Sequence, residues 1–149
     1  MNIQYKPIGT IHSPFKTPEE TPLQSKLSKG AKGIIELETE YKDGLHDLDK
    51  FTHIILIYHM HLAEYSGPTV KPSHSTVFHG VFATRFHQRP NPIGISVVRL
   101  EGLSGNTLYV ENIDVVDNTP LLDIKPFIAI LERQYGTNLG WLSGDFGHL

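Results

Sequence analysis

Cysteine is absent, which removes disulfides, thiolate metal sites and cysteine nucleophiles together and fits a reducing cytoplasm, the expected location. Long hydrophobic runs are absent too. The longest, Ile54-Ile55-Leu56-Ile57-Tyr58, meets His59 and His61 at once and is far too short to cross a bilayer, so no membrane partner is expected. The opening MNIQYKPIGTIHSPF lacks a charged segment leading into an apolar stretch and a small-residue cleavage site, so it does not read as a secretory signal. There is no excess of positive charge: 13 Lys plus Arg stand against 16 Asp plus Glu, a net charge of −3. No global field therefore draws the molecule toward DNA or anionic lipid, and any nucleic-acid contact must be local. Neither G-x-G-x-x-G after a strand, nor G-x-x-x-x-G-K-[ST], nor G-x-S-x-G occurs, so a dinucleotide fold, a phosphate-loop NTPase and a nucleophile-elbow hydrolase are all unsupported.

What is present describes one globular domain spanning residues 1–149, with 39% hydrophobic and 19% charged residues. Ten prolines and 13 glycines are spread along the chain, leaving no stretch for a long helix, and β-branched residues dominate the apolar runs. Strands are expected over residues 5–12, 33–38, 52–62, 77–85, 94–103, 107–115 and 121–127, with short helices over 43–50 and 130–135. The polar segments 16–30 and 66–75 read as loops, the latter long enough to carry function. Ser104-Gly105-Asn106 reads as a hairpin turn. The apolar phase slips between Leu108/Val110 and Ile113/Val115, which predicts a bulge near Glu111-Asn112. Seven or so short strands with one or two helices predict a mainly β, closed or nearly closed antiparallel barrel, followed by a short tail over 129–149.

Three groups of residues could carry chemistry. His59 and His61, two apart on a strand, share one face, and Glu64 could complete a metal site if the chain turned back; polar barrel lining or ligand contact is the stronger reading. In Gly80-Val81-Phe82-Ala83-Thr84-Arg85-Phe86-His87-Gln88-Arg89-Pro90-Asn91-Pro92-Ile93-Gly94, two prolines hold Arg89 and Asn91 extended, so the loop has little freedom to lose on meeting a ligand. Arg85 and Arg89 offer planar forks to a carboxylate or phosphate, and the Asn91 amide could read an adenine edge or tie the loop to itself. In the third group, Asp117-Asn118-Thr119-Pro120 is a turn with an acidic acceptor, while Asp123 and Lys125 fall on one face of the following strand, where the bland reading is a surface ion pair.

These clusters, with the opening Ile8-Gly9-Thr10-Ile11-His12-Ser13-Pro14-Phe15, closely resemble the TrmO or TsaA-like family, whose pattern runs G-V-F-A-T-R, R-P-N-P-I-G, D-G-T-P and D-I-K-P. The resemblance spans about residues 5–128. It implies a single-sheet β-barrel methyltransferase, a homodimer, S-adenosylmethionine as donor, and methylation at N6 of threonylcarbamoyladenosine beside the anticodon of a tRNA. Carried over position by position, it assigns the donor to Pro22, Gln24, Met60, His61, Arg85, Ile95 and Asp117, Asn118, Thr119 and Pro120. Arg89, Asn91 and Lys125 are the candidates for substrate. The chain departs from the family pattern at Leu23, where an Arg often stands, at Asn118 in place of Gly, and at Phe86-His87-Gln88. Asn tolerates positive φ better than most residues, so the turn can survive that change. Asp114, Asp117 and Asp123 are the carboxylates available to take the N6 proton, and the sequence does not choose among them. The competing readings are a donor-binding sensor without transfer, and a metal-dependent barrel enzyme built on His59 and His61.

Overall fold

A computed structural model describes residues 1–22 and 28–143. Among the described residues eight strands form: β1 Gly9–His12, β2 Lys32–Leu37, β3 His53–His59, β4 Thr69–Val70, β5 His79–Gly80, β6 Ile93–Ser104, β7 Thr107–Glu111 and β8 Thr119–Pro126. Six of them close into a barrel in the order β1-β2-β7-β6-β3-β8, and every pairing is antiparallel. Closure follows from alternation: Ile11, Ile35, Leu37, Ile54, Leu56, Val98, Leu108, Val110 and Leu121 point inward and are almost wholly buried.

Close approach of the walls is achieved by glycine. A Cβ on Gly9 would sit 2.4 Å from the Glu36 carbonyl oxygen, and one on Gly94 would sit 2.2 Å from the Tyr58 ring. The Gly that closes R-P-N-P-I-G therefore leaves the space across which the inward-facing Tyr58 ring lies.

Two register shifts adjust the wall, one in β6 between Leu100 and Gly102 and one where β8 meets Ile57 and Tyr58. The bulge expected at Glu111-Asn112 takes another form. Strand β7 ends at Glu111, Asn112 turns left-handed at φ 70°, and the N–H groups of Asn112 and Ile113 both donate to the Ala31 carbonyl, which re-phases Ile113 and Val115 into the core.

Other expectations are corrected. The strand foreseen over 77–85 shrinks to His79–Gly80, which pairs with Thr69–Val70 and then gives way to a 3-10 turn at Val81–Ala83. The partner strand is bracketed by Pro68 and Pro72, which cannot donate to a ladder, so no longer pairing can grow. The helix foreseen over 43–50 is two 3-10 turns, Thr39–Leu45 and Leu48–Lys50, separated by Asp47 at φ 71°. The final helix is one turn, Ala129–Glu132. Beyond it the chain folds back onto the β4–β5 ladder and the turn after it: the Trp141 indole N–H donates to the Ala83 carbonyl at 2.8 Å, and its ring stacks on His79 with centroids 3.7 Å apart. Among the described residues, no helix is long and apolar enough to cross a membrane.

Candidate functional site

Antiparallel closure brings the ends of β1, β3 and β7 and the starts of β2, β6 and β8 to one mouth of the barrel. The three sequence clusters meet there, although they lie far apart along the chain. The Ser13 N–H donates to Asp117 Oδ1 at 2.9 Å, the Ser13 hydroxyl donates to the Val115 carbonyl, and the Asp117 N–H donates to the Phe15 carbonyl at 2.7 Å. From the other side, the Met60 N–H donates to the Pro92 carbonyl at 2.7 Å and docks the end of β3 onto the proline-stiffened loop.

A polar chain crosses the mouth. Tyr58 on β3 and Ser96 on β6 are both buried and face inward, with Tyr58 Oη 2.8 Å from Ser96 Oγ. Ser96 Oγ donates in turn to a carboxylate oxygen of Asp114. A hydroxyl has one hydrogen, so Ser96, donating to Asp114, receives the Tyr58 O–H. Burial pushes the Asp114 carboxyl up to about 6, opposed by the Ser96 hydrogen bond, a bond to its own backbone and the Arg85 charge. Burial and the neighbouring Asp114 charge raise the Tyr58 phenol, which stays protonated. Tyr58 and Ser96 escaped the sequence reading because an apolar-looking strand gave no sign of them; the alternation of β3 and β6 was the available signal.

Asp117 behaves differently. Its second oxygen is 2.7 Å from Lys16 Nζ, and that hydrogen bond, together with the Ser13 N–H and nearby His12, holds its carboxyl below the ordinary range. Its oxygens are thus committed to holding the turn. In that turn Asn118 adopts φ 66°, as expected for a residue in a Gly position, and the buried Thr119 hydroxyl donates to the Val116 carbonyl at 2.6 Å. Pro120 follows, half-buried at the start of β8.

The stiff loop divides its arginines. Arg89 Nη1 donates to the carbonyls of Thr84 and Phe86, at 2.8 and 2.9 Å, so that nitrogen fastens the loop to the segment carrying Arg85. Arg85 is exposed, and its charge is felt by Asp114. The Asn91 carbonyl accepts from the Ile93 N–H at 2.7 Å, while its side chain is exposed. Ile95 stands opposite Ile57 on the outer wall and is 54% exposed.

His61 is exposed beside His59; partial burial and the His59 charge lower its ring. No group of three His, Asp or Glu able to hold a metal occurs among the described residues, so Glu64 does not complete the His59/His61 pair. Pro22 is half-buried, and Gln24 lies outside the described residues. Lys125 does not join the site. It pairs with Asp123 at 2.9 Å on the outer wall, six residues along β8 from Thr119, roughly 20 Å at strand rise.

The arrangement defines a small antiparallel barrel whose chemistry is gathered at one mouth by a half-buried acid, an adjacent arginine and a braced turn. The tRNA-methyltransferase O N-terminal domain family matches residues 10–133, and the chain belongs to this TrmO family. It is 49% identical over 140 residues to a probable S-adenosyl-L-methionine-binding protein of Pyrococcus abyssi, covering 94% of this chain and 76% of that one. The tRNA (adenine(37)-N6)-methyltransferase of Escherichia coli is 36% identical, with 88% of this chain and 60% of that protein covered. The crystal structure of TrmO from Pseudomonas aeruginosa superposes with a TM-score of 0.80 at 36% identity, over 95% of this chain and 63% of that one. The chain thus spans about three-fifths of the length of the last two.

Proposed function

We propose that the protein is an S-adenosylmethionine-dependent methyltransferase acting on N6 of threonylcarbamoyladenosine next to the anticodon of a tRNA, in the cytoplasm and as a homodimer. The observation that carries this reading is the conjunction, at one mouth, of Arg85, the half-buried Asp114 and the braced turn Asp117–Pro120 in a chain of the TrmO family.

The donor set suits the group. Arg85 offers a fork to the methionine carboxylate, Met60 an apolar surface, and the backbone of the Asn118-Thr119-Pro120 turn acceptors for an adenine amino group or a ribose. When bound, S-adenosylmethionine supplies an electrophilic methyl on a positively charged sulfur. The protein's residues then orient and hold. Arg89 braces the Arg85 segment, Asp117 fixes the turn through Ser13 and Lys16, and the Tyr58–Ser96 pair holds Asp114 at the mouth. With a net charge of −3, RNA affinity depends on local groups. Phe82, 81% exposed three positions before Arg85, adds a face on which an unpaired base can stack. The outward Ile93 and Ile95, both exposed on β6, support the dimer.

The test is incubation of the protein and S-adenosylmethionine with total tRNA from a strain lacking it, followed by nucleoside mass spectrometry. A gain of one methyl on threonylcarbamoyladenosine is expected. Donor binding without any methylated nucleoside would favour the sensor reading, which the Pyrococcus abyssi relative's designation as a binding protein keeps in view.

A further inference from the structure

We propose that Asp114 is the residue that accepts the N6 proton during methyl transfer, an inference that rests on the functional reading above. Three carboxylates stand in the motif region, and the structure separates them. Asp117 has one oxygen on the Ser13 N–H and the other on Lys16. Asp123 faces the outer wall, with one oxygen on the Ile124 N–H and the other on Lys125. Among the described residues Asp114 alone of the three pairs with no lysine, and it alone accepts from a hydroxyl of the barrel interior, Ser96, which Tyr58 in turn backs.

Among the described residues, the groups that face Asp114 are Ser96 from β6, which is neutral, Tyr58 from β3, which stays protonated, and Arg85 from the segment after β5. Their arrangement gives direction. Tyr58 donates to Ser96 and Ser96 to Asp114, and the buried Tyr58 ends the chain inside the barrel, so a proton received by Asp114 leaves through the mouth. The Ser96 hydrogen bond, a bond to its own backbone and the Arg85 charge keep the carboxylate populated against the effect of burial, and a carboxyl titrating at about 6 is both ionised at neutral pH and basic enough to take a proton.

The step balances. The N6–H bond of the urea-like nitrogen breaks and its proton passes to a carboxylate oxygen of Asp114. The nitrogen's electron pair forms the bond to the methyl carbon as the methyl–sulfur bond breaks and its pair returns to sulfur, discharging the sulfonium.

Two readouts test this. In the ligand-free protein, side-chain carboxyl NMR should show Asp114 titrating near pH 6 and Asp117 well below it. In turnover with the tRNA substrate, Asp114→Asn should lower kcat by about 100-fold or more while changing donor Kd by no more than a few-fold. The wild-type rate should fall about tenfold per pH unit below the Asp114 titration, and the residual rate of Asp114→Asn should be flat there. Ser96→Ala removes a hydrogen bond that favours the carboxylate, so it should move the acidic limb of the profile to higher pH. The proposal is overturned if Asp114→Asn retains more than a tenth of wild-type kcat, or keeps the acidic limb. Should Asp114→Asn not fold, an unmoved limb in Ser96→Ala or an Asp114 titration in the ordinary range overturns it equally. A wild-type protein that transfers no methyl defeats the functional reading and this proposal together; active wild type with an active Asp114→Asn defeats this proposal alone.

Discussion

Asp117 and Asp123 carry the same charge six positions apart, yet their removal should have unequal effects. Asp117 joins the opening segment to the turn, and a hydrogen bond to a charged group contributes about 1.5–3 kcal/mol. Asp117→Ala should lower stability by that order in chemical denaturation and weaken the donor in calorimetry, whereas Asp123→Ala, losing a surface pair and a local backbone bond, should change both little. The pH dependence follows from the lowered Asp117 carboxyl. Its contribution is present above the unfolded-state value and is lost as pH falls through the folded one, so the Asp117→Ala difference should vanish in acid. Arg89 is a case in which geometry changes the expected split of roles. Sequence suggests Arg89 for substrate and Arg85 for donor, but Arg89 braces Thr84 and Phe86, so Arg89→Ala should weaken donor binding too, with Lys a poor replacement for the fork. The candidate residues were legible because proline spacing and turn chemistry are local. The ranking of the acids was not, because Lys16 meets Asp117 across 101 positions and Ser13 meets it across 104.

Strands were legible where apolar residues ran on, as in β3, or recurred over five residues or more, as in β2 and β6, and unreliable where apolar residues had no neighbouring strand. Val77 and Phe78 look like strand residues but stay exposed, since the two-residue β4 offers no ladder for them. Fit between elements is tightest at β3 against β6. Gly94→Ala would press a methyl into the Tyr58 ring, an overpacking that costs about 1–3 kcal/mol and should also disturb the Tyr58–Ser96–Asp114 chain, visible as a lower melting temperature and reduced turnover. The turn before β8 is more forgiving. Asn118→Gly should be near neutral, while Asn118→Val should cost about 1–2 kcal/mol, because a left-handed backbone penalises a branched Cβ.

On the scale of the whole molecule, the barrel leaves Ile93 and Ile95 in water on its outer wall, beside the mouth. Light scattering at micromolar concentration should therefore find twice the 16.7 kDa of one chain, and Ile95→Lys should return it to that mass. The path of the chain after the barrel matters as well. By reaching Ala83 and His79, Trp141 pins the ends of the segment that leads to Arg85, and Trp141→Ala should loosen donor binding although the ring itself lies outside the polar cluster.

Trp141 is the one tryptophan in the sequence. Indole emission excited at the red edge of protein absorbance consequently originates from a single ring, stacked with the imidazoles of His79 and His74 and bonded to a backbone carbonyl two residues before Arg85. The native chain carries its own optical probe: undocking the tail would shift the emission to longer wavelength while the barrel stayed folded, and ligand arrival at Arg85 could be followed without a dye.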